Sequence, residues 1–563
     1  MYKRILNTCH CSARQNIMLT STYIHFLSLL FLTFQLNSCS GFNVHRQFIS
    51  LDVVKSTSFE KRSIFHSNLM NKYDEKNSIL KTEKKMFLKS SKSSSLATDE
   101  SNVKLSSIVN AALLISGTTI GGGFLALPTV TSTVGFVPSS ITLVCVWVYF
   151  LLQSFVLVEC LEYTRNEAFR IGANNAKNNE QIQPELRNPG VSTVARNMYG
   201  KNGEIFVAAL LIILMEATLV SQISKAGSLI FGGQHYIIGC VLSSISIALL
   251  VFGPKRRGVE FASQMNSYLT FGFLASVLGV FVCGVPNANW NQLGITGTSP
   301  VASVMMNVSQ KRLIDIIPTF LQLLVYGEII PCVCQILNYN IKAIRIAIAM
   351  GSFLTLCLQI GWSGLGIALM APLALKASND VVNILLQSGG TVQLPLSCLS
   401  ITAILTTILG SYLALLTMCN NIYQDLFKGG HKVRGRSNTT TTKDESLQST
   451  STNTILQRIT VGSMITLPAL SISSTSPSIF LKAIDFAGSY PVLLLWGILP
   501  TFTTLLQRRR WNKDKSGKKI GRFSKTTSSG SSLWISLLAL ISCSMIGLSA
   551  KDDLTTFISR FQS

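Results

Sequence analysis

Four glycines, Gly117 and Gly121–Gly123, lie within seven residues in the first long apolar segment after residue 100. Glycine costs about 1 kcal/mol relative to alanine inside a helix, so this run predicts an interruption of a membrane-spanning helix. Exposed backbone groups at bilayer depth are tolerated only where they are buried in protein or line a water-filled site. The alternative is a continuous helix whose glycines form a packing face. The sequence Leu125–Pro128, which follows directly, favours the break.

The composition is that of a membrane protein, with 48% hydrophobic and only 13% charged residues. The net charge of +23 comes from Lys and Arg in short loops between apolar segments, a pattern that encodes orientation in a lipid bilayer. No basic face interleaved with aromatic residues is present, so we expect no nucleic-acid partner. The 13 cysteines show no zinc-site spacing and are interpreted as small apolar fillers, so we expect no metal and no cofactor.

Eleven apolar segments after residue 100 are each long enough to cross about 30 Å of hydrocarbon. They lie near 105–130, 137–160, 204–228, 235–253, 264–285, 313–336, 342–371, 393–424, 455–474, 479–506 and 531–550. With the N-terminus inside, the loops on the inner side carry about 26 basic residues and those on the outer side about 6. The charge pattern therefore predicts eleven spans, with the C-terminus outside.

The first hundred residues are predicted to be a leader. Residues 1–41 contain basic residues, a short apolar run and the small-residue sequence Cys39-Ser40-Gly41, as a signal peptide does. Residues 42–103 are rich in Ser, Lys and Asn and are predicted to be disordered. A first residue Phe42 in a basic stretch resembles the leaders of algae with secondary plastids, whereas the acidic residues there argue against a transit peptide. The target is thus the plastid envelope or, alternatively, an endomembrane or the plasma membrane. The spans occupy residues 104–550, and 551–563 form a short tail.

The sequence Gly117–Pro128 closely resembles the "GTxIGAGxLALP" opening of the tryptophan/tyrosine permeases, within the amino acid–polyamine–organocation superfamily. Gly135–Pro138 and Val156–Glu159 are similar to two further motifs of that family, "GF.P" and "LLxxE". The sixth span, Ile317–Pro331, looks like the plant and algal branch. The resemblance covers about residues 104–550 and implies eleven spans, in which spans one to five and six to ten form a 5+5 inverted repeat with broken helices 1 and 6.

The residues themselves also show paired interruptions, because span six contains Gly327 and Pro331 at the position that corresponds to Gly117–Gly123 in span one. Paired interruptions are the best pointer in a sequence to a binding site at the bilayer midplane. A zwitterionic amino acid needs N–H donors for its carboxylate and carbonyl acceptors for its ammonium, and broken helices offer both. The candidate substrate-binding residues are Gly117, Thr118, Gly121, Gly122, Gly123, Tyr326 and Gly327. Tyr326 is equally interpretable as a core or interfacial aromatic.

An ionisable side chain at bilayer depth costs at least about 2.5–3.5 kcal/mol, so each one needs a reason. Glu328 follows Gly327 and is the first candidate for proton coupling, as a proton carrier or as the counter-charge of a substrate ammonium. A packing role is the alternative. Lys225 in span three is the second candidate, as a titratable charge in place of a sodium ion. Alternatively, Lys225 extends to the membrane surface from the end of its span.

Other polar residues in the spans have weaker interpretations. Glu159 and Glu162 are expected to be orientational or gating charges, and Asp485 belongs to an outer gate or to a helix start. Hydroxyls in span eight fit either an ion site or helix packing; these are Thr402, Thr406, Thr407 and Ser411.

The sequence favours a secondary transporter of amino acids, aromatic ones by the resemblance, driven by protons. The alternative is transport of another small amino or organic acid with sodium coupling or exchange. An intramembrane enzyme is disfavoured because four of the six histidines precede residue 100 and no metal cluster or Ser/Lys dyad is evident. A channel or receptor is disfavoured because the sequence has no repeated pore-lining rings. An ATP-driven pump is excluded because the sequence contains no nucleotide-binding motif.

Overall fold

The computed structural model describes residues 104–175, 189–230, 235–252, 258–293, 310–370, 381–388, 390–428, 460–514 and 532–562. The predictions for residues 1–41 and 42–103 lie outside these ranges, as do most residues of the basic loops. Within them the chain is helical and contains no strand.

The first half of the described chain has six α-helices. They are α1 (Leu105–Thr119), α2 (Leu127–Ser132), α3 (Phe136–Asn175), α4 (Val191–Ile230), α5 (Tyr236–Phe252) and α6 (Gly258–Gly284). A short 3-10 helix, Gly122–Ala126, lies between α1 and α2. The two residues between α1 and this 3-10 helix are Ile120 and Gly121, and they are called the first break.

The second half of the described chain has nine α-helices and one π-helix. Its elements are α7 (Gln310–Leu324), α8 (Ile330–Ile336), α9 (Ile341–Leu369), α10 (Val381–Ser388), α11 (Gln393–Lys428), α12 (Thr460–Ser473), α13 (Ile479–Ala487), the π-helix Gly488–Ile498, α14 (Leu499–Asp514) and α15 (Ser532–Gln562). Between α7 and α8, Val325 and Tyr326 are not helical and Gly327–Ile329 forms one 3-10 turn. Val325 and Tyr326 are called the second break.

Eight helices of the described chain are long and apolar enough to cross a membrane, and the bent pair Leu105–Thr119 and Gly122–Ser132 makes nine if it is one span. The two parts of the pair are bent by 53°. Shorter apolar helices cover Tyr236–Ala248 and Thr460–Ser473, at the fourth and ninth predicted spans. Each predicted span therefore contains helix, which confirms an all-α membrane protein, although two of the helices are shorter than predicted in the part described.

The inner part of the fold is held by close backbone contacts at glycines. α1 packs along α9, and a Cβ on Gly351 of α9 would overlap the carbonyl oxygen of Ala112. Similarly, a Cβ on Gly488 would overlap the carbonyl oxygen of Pro318 in α7. Because no side chain separates the helices at these points, the register between them is fixed by backbone packing.

A polar seam joins α3 to α14. The guanidinium of Arg508 donates two hydrogen bonds to the carboxylate of Glu159, from Nε to Oε1 at 2.7 Å and from Nη2 to Oε2 at 2.8 Å. The side chain of Glu159 is 3% exposed, so this is a buried, bidentate ion pair. One turn away, the Cys160 thiol and the Thr504 hydroxyl lie 2.8 Å apart. Glu159, predicted to be an orientational or gating charge, thus has a structural partner in span ten.

Candidate functional site

The first break falls where the glycine run predicts it. α1 ends at Thr119, Gly121 has an extended backbone, and the 3-10 helix starts at Gly122. A Cβ on Gly122 would overlap the side-chain amide of Gln222 in α4, and one on Gly121 would lie 3.0 Å from the hydroxyl oxygen of Thr407 in α11. The glycines are therefore needed for close approach to two neighbouring helices as well as for the break itself.

Thr407 fastens the first break to α11. The backbone N–H of Gly122 donates to Thr407 Oγ1 at 2.7 Å, and this hydroxyl donates to the carbonyl oxygen of Ala403 at 2.8 Å. The freed N–H is thereby satisfied by a residue whose hydroxyl the sequence assigned either to an ion site or to helix packing. The hydroxyls of Thr402 and Thr406 also donate to carbonyl oxygens of α11.

Aromatic side chains hold the other end of the 3-10 helix. The ring of Phe124 stacks on Trp362 of α9, with centroids 5.5 Å apart, and meets Phe273 of α6 edge-on at 6.4 Å. Trp362 Nε1 donates to the carbonyl oxygen of Phe124 at 2.9 Å, so a second backbone group near the break has a partner. The unwound segment is thus positioned rather than loose.

The second break begins slightly earlier than predicted. α7 ends at Leu324, and the regular helix resumes at Ile330, so Pro331 lies in the first turn of α8 and not in the interruption. Proline is tolerated at the start of a helix because the N–H groups there have no intrahelical partner. The interruption lies at Val325–Tyr326 and continues as a 3-10 turn through Gly327.

The two breaks adjoin each other. A Cβ on Gly123 would lie 2.7 Å from Leu323 Cδ2, and α1 contacts the turn Gly327–Ile329. Gln359 Nε2 of α9 donates to the carbonyl oxygen of Leu323 at 2.8 Å, which satisfies a group at the end of α7. The unwound parts of spans one and six are therefore brought together, and α4, α9 and α11 pack around them.

Glu328 lies beside the second break, in the 3-10 turn Gly327–Ile329, and is exposed. On α1, Thr118 is exposed, and a Cβ on Gly117 would meet no protein atom within 4 Å. Thr118 Oγ1 donates to the carbonyl oxygens of Leu114 and Ile115.

Tyr326 and Gly327 are buried at the second break. Tyr326 is 4% exposed, and its hydroxyl lies near those of Ser154 in α3 and Ser352 in α9 without a well-formed hydrogen bond. A Cβ on Gly327 would overlap the indole of Trp496 in the π-helix. Tyr326 thus occupies a position between helices, as in the core-aromatic interpretation, while Gly327 is in contact with span ten.

Buried polar atoms without a hydrogen-bond partner lie around both breaks. Among the described residues they include Gln222 Oε1, Gln359 Oε1, Tyr326 Oη and Trp496 Nε1, all on side chains at most 4% exposed. Most buried polar groups in proteins are hydrogen-bonded, so such a set indicates a site that binds polar ligands or water. Gln222, Gln359 and Trp496 were not predicted from the sequence, because only their packing against the breaks distinguishes them from other buried residues.

Lys225 lies on α4, one helical turn beyond Gln222. It is 1% exposed, and its Nζ lies 5.0 Å from the centroid of the Phe480 ring. Phe480 packs with Ala126 and Ile484. The ammonium is therefore inside the protein and does not extend to the membrane surface, and a cation–π contact stabilises it.

Two further acidic residues lie in the spans. Asp485 of α13 accepts a hydrogen bond from the Thr319 hydroxyl of α7, so it joins spans ten and six instead of starting a helix. Glu216 of α4 is half-buried, and its Oε2 is among the atoms without a hydrogen-bond partner. Within the residues that the structure describes, no group of three or more His, Cys, Asp or Glu side chains could hold a metal ion.

Comparisons with known proteins agree with this arrangement. The chain is 24% identical over 400 residues to tyrosine-specific transport system 1 of Haemophilus influenzae, which covers 69% of the chain and 87% of that protein. It is 23% identical over 257 residues to tyrosine-specific transport system 2 of the same species, covering 45% of the chain and 56% of that protein. Glutamine transporter 2 of Aliivibrio fischeri is 22% identical over 318 residues, covering 55% of the chain and 74% of that protein.

A sequence profile of the tryptophan/tyrosine permease family matches residues 104–523, well over half of the chain. The match confirms the family membership that the Gly117–Pro128 motif predicted. It also confirms the prediction of a multi-pass membrane transport protein rather than an enzyme, since the family consists of permeases. The chain belongs to the tryptophan/tyrosine permease family.

Proposed function

We propose that this permease is a secondary active transporter of aromatic amino acids, coupled to protons through Glu328. The observation that carries the proposal is Glu328 itself, an accessible carboxyl group within a candidate membrane span and directly beside a helix break. A carboxyl at such a position binds a proton or stays ionised according to which side of the membrane the cavity faces.

The substrate is proposed to bind between the two breaks. Gly117 and Thr118 border open space, and Gly121–Gly123 and Gly327 bring backbone close to α4, α11 and the π-helix. The N–H of Gly122 already donates to Thr407, so the contribution of Gly122 is the absence of a side chain. Unpartnered amide oxygens of Gln222 and Gln359 offer acceptors for an ammonium group.

Aromatic substrates are supported by the relatives, two of which are named as tyrosine-specific transport systems. Tyr326 is available to shape the pocket from its buried position at the second break. Lys225 is proposed as a second charge in coupling, because it is a buried lysine next to Phe480, which packs on the 3-10 helix Gly122–Ala126.

The proposed architecture is eleven spans with a 5+5 inverted repeat. Its support is the order of elements, because a broken helix opens each half and is followed by four further spans, counting α13, the π-helix and α14 as one. α15 then stands outside the repeat. The two shorter helices, α5 and α12, are counted as spans in this proposal.

The test is transport by the purified protein in proteoliposomes. Uptake of radiolabelled tyrosine, tryptophan, phenylalanine and glutamine is measured with an imposed pH gradient, with a sodium gradient and with neither. We expect the pH gradient alone to drive accumulation of tyrosine or tryptophan. Accumulation driven only by sodium, or no accumulation under either gradient, would contradict proton coupling.

A second candidate is transport of another small amino acid by sodium coupling or exchange. The observation that favours it is the relative named glutamine transporter 2. Glutamine uptake that exceeds tyrosine uptake in the same assay would support it.

A further inference from the structure

The indole of Trp496 lies directly against the second break. A Cβ on Gly327 would overlap its atoms Cδ2 and Cε3 and lie 3.0 Å from Cγ. Trp496 is 3% exposed and therefore enclosed on every side. The backbone of Gly327 is thus in close contact with span ten. It can move toward span ten only if the indole moves.

The π-helix holds this indole in register with span six. At the start of the π-helix, Gly488 packs against the carbonyl oxygen of Pro318, and just before it Asp485 accepts a hydrogen bond from Thr319. At its other end Trp496 meets Gly327. One segment of span ten is therefore fixed to α7 and to the second break together. π-helices are rare and occur frequently at functional sites.

Gly497, the residue after Trp496, packs closely against α3 and α15. A Cβ on Gly497 would overlap the hydroxyl of Tyr149 and lie 2.7 Å from Ser542 Oγ. These two hydroxyl groups are themselves hydrogen-bonded at 2.8 Å. The π-helix is also tied to α15 by the hydrogen bond of Tyr490 to Asp553. The π-helix therefore contacts the second break through Trp496, and contacts α3 and α15 through the next residue, Gly497.

We propose that Trp496 is a positioning residue for Glu328 and that α15 sets its place through Ser542 and Gly497. The inference rests on the proposed coupling role of Glu328. Because Glu328 follows Gly327 directly, a displacement of the Gly327 backbone carries the carboxyl group with it. Functional groups must be held within about 0.5 Å of their productive position, and an error of 1 Å can cost about a hundredfold. The eleventh span, which lies outside the proposed repeat, thereby has a role in coupling.

The pH dependence of transport reports on this role. The structure places the indole of Trp496 against Gly327, and the phenol of Tyr149 and the hydroxyl of Ser542 against the neighbouring Gly497. A change in the packing of the indole therefore alters the surroundings of Glu328 without removing a charged partner.

The test compares Trp496→Ala, Trp496→Phe and Gly497→Ala in the full-length protein, reconstituted in proteoliposomes. Gly547→Ala is the matched control, because a Cβ at Gly547 of α15 meets no protein atom within 4 Å. Radiolabelled tyrosine is used to measure counterflow at equal pH and accumulation over a range of external pH. The amount of protein in the vesicles is quantified for every variant.

For Trp496→Ala we expect an accumulation ratio lowered about tenfold or more and a shifted pH midpoint, with a smaller effect on counterflow. Trp496→Phe retains a flat ring without the N–H and should lie closer to the parent. Gly497→Ala should shift the midpoint as Trp496→Ala does, since its methyl group would overlap Tyr149 and Ser542 and so displace the part of the π-helix that carries the indole. Gly547→Ala should match the parent.

An unchanged pH midpoint in Trp496→Ala, whether with parental activity or with a uniform loss, overturns the positioning role and leaves proton coupling intact. If Trp496→Ala does not reach the membrane, Gly497→Ala decides the question by the same criterion. A parent protein whose transport does not depend on pH overturns proton coupling and this role together.

Discussion

The backbone N–H of Gly122 donates a hydrogen bond of 2.7 Å to the hydroxyl of Thr407, which ties the first break to α11. An unwound segment inside a membrane is stable only when its free backbone groups are satisfied by protein. This bond does so across 285 residues of sequence. Thr407 therefore helps to keep span one unwound at the first break.

Replacing Thr407 with valine keeps the size of the side chain but removes the acceptor. We expect weaker substrate binding, because leaving a buried donor unsatisfied costs about 1–3 kcal/mol, or roughly fivefold to more than a hundredfold in affinity. Thr407→Ser retains the hydroxyl and should bind tyrosine nearly as the parent does. The measurement is the half-saturating tyrosine concentration in counterflow. Equal values for the valine and serine variants would contradict a role for this bond.

The second prediction concerns the space at the first break. Gly122→Ala should strongly impair transport, because the methyl group would overlap the amide of Gln222. Adding Gln222→Ala removes the overlapping atoms but also a proposed acceptor of the substrate ammonium, so it should restore the melting temperature in detergent more than uptake. Gly410→Ala in α11 is the control, since a Cβ there meets no protein atom within 4 Å. Uptake normalised to protein in the vesicles is measured, and a fully active Gly122→Ala would contradict the packing argument.

Glu328→Gln tests proton coupling directly. Glutamine retains shape and hydrogen bonding but cannot bind and release a proton, so accumulation driven by a pH gradient should be lost. Exchange at equal concentrations should remain in part, and the pH dependence of uptake between its acidic and alkaline limits should flatten. Glu167→Gln, on α3 next to Arg170, is a control outside the cavity. If the Glu328 variant still concentrates tyrosine as the parent does, Lys225 becomes the better candidate for coupling.

The fourth prediction concerns the ion pair between Glu159 and Arg508, which joins spans two and ten. Removing one partner of a buried pair leaves an uncompensated charge and costs about 3–5 kcal/mol. Glu159→Gln should therefore lower the melting temperature in detergent clearly. The double variant with Arg508→Met should be more stable than the single one, because the cation that lost this carboxylate is removed as well. A single variant with the parental melting temperature would show that the pair does not stabilise the fold.

The leader yields the fifth prediction. The sequence around Cys39-Ser40-Gly41 predicts cleavage after residue 41, and the following stretch is proposed to direct the protein to the plastid envelope. A fluorescent fusion of residues 1–105 should then reach the plastid in an alga with a secondary plastid. N-terminal sequencing of the mature protein locates the cleavage. Fluorescence of the full-length fusion at the plasma membrane or vacuole would contradict the plastid proposal.

The first break could be predicted because its cause is local. Glycine weakens a helix through its own backbone freedom, so the run Gly117–Gly123 is sufficient to locate the interruption. At the second break the same reasoning was less accurate by a few residues. The sequence predicts Pro331 within the interruption, but proline also begins a helix readily, and Pro331 lies in the first turn of α8.

The surroundings of the breaks could not be predicted, because they depend on contacts between helices distant in sequence. Nothing local distinguishes Thr407 from its neighbour Thr406, yet only Thr407 is seen to receive the N–H of Gly122. Gln222 and Trp496 are equally inconspicuous until they are placed against Gly122 and Gly327. Lys225 was recognisable as a charge inside a span, whereas its position over Phe480 required the fold.

The contact between Gly351 and Ala112 restricts how this protein can change shape. α1 precedes the first break. If only side chains held α1 against α9, it could tilt about the break. At Gly351, however, backbone meets backbone, and a rotation of α1 away from α9 would open a gap that no rotamer change can fill. A force that moves one of these two helices is therefore transmitted to the other. A gate that involves α1 must consequently involve α9 as well.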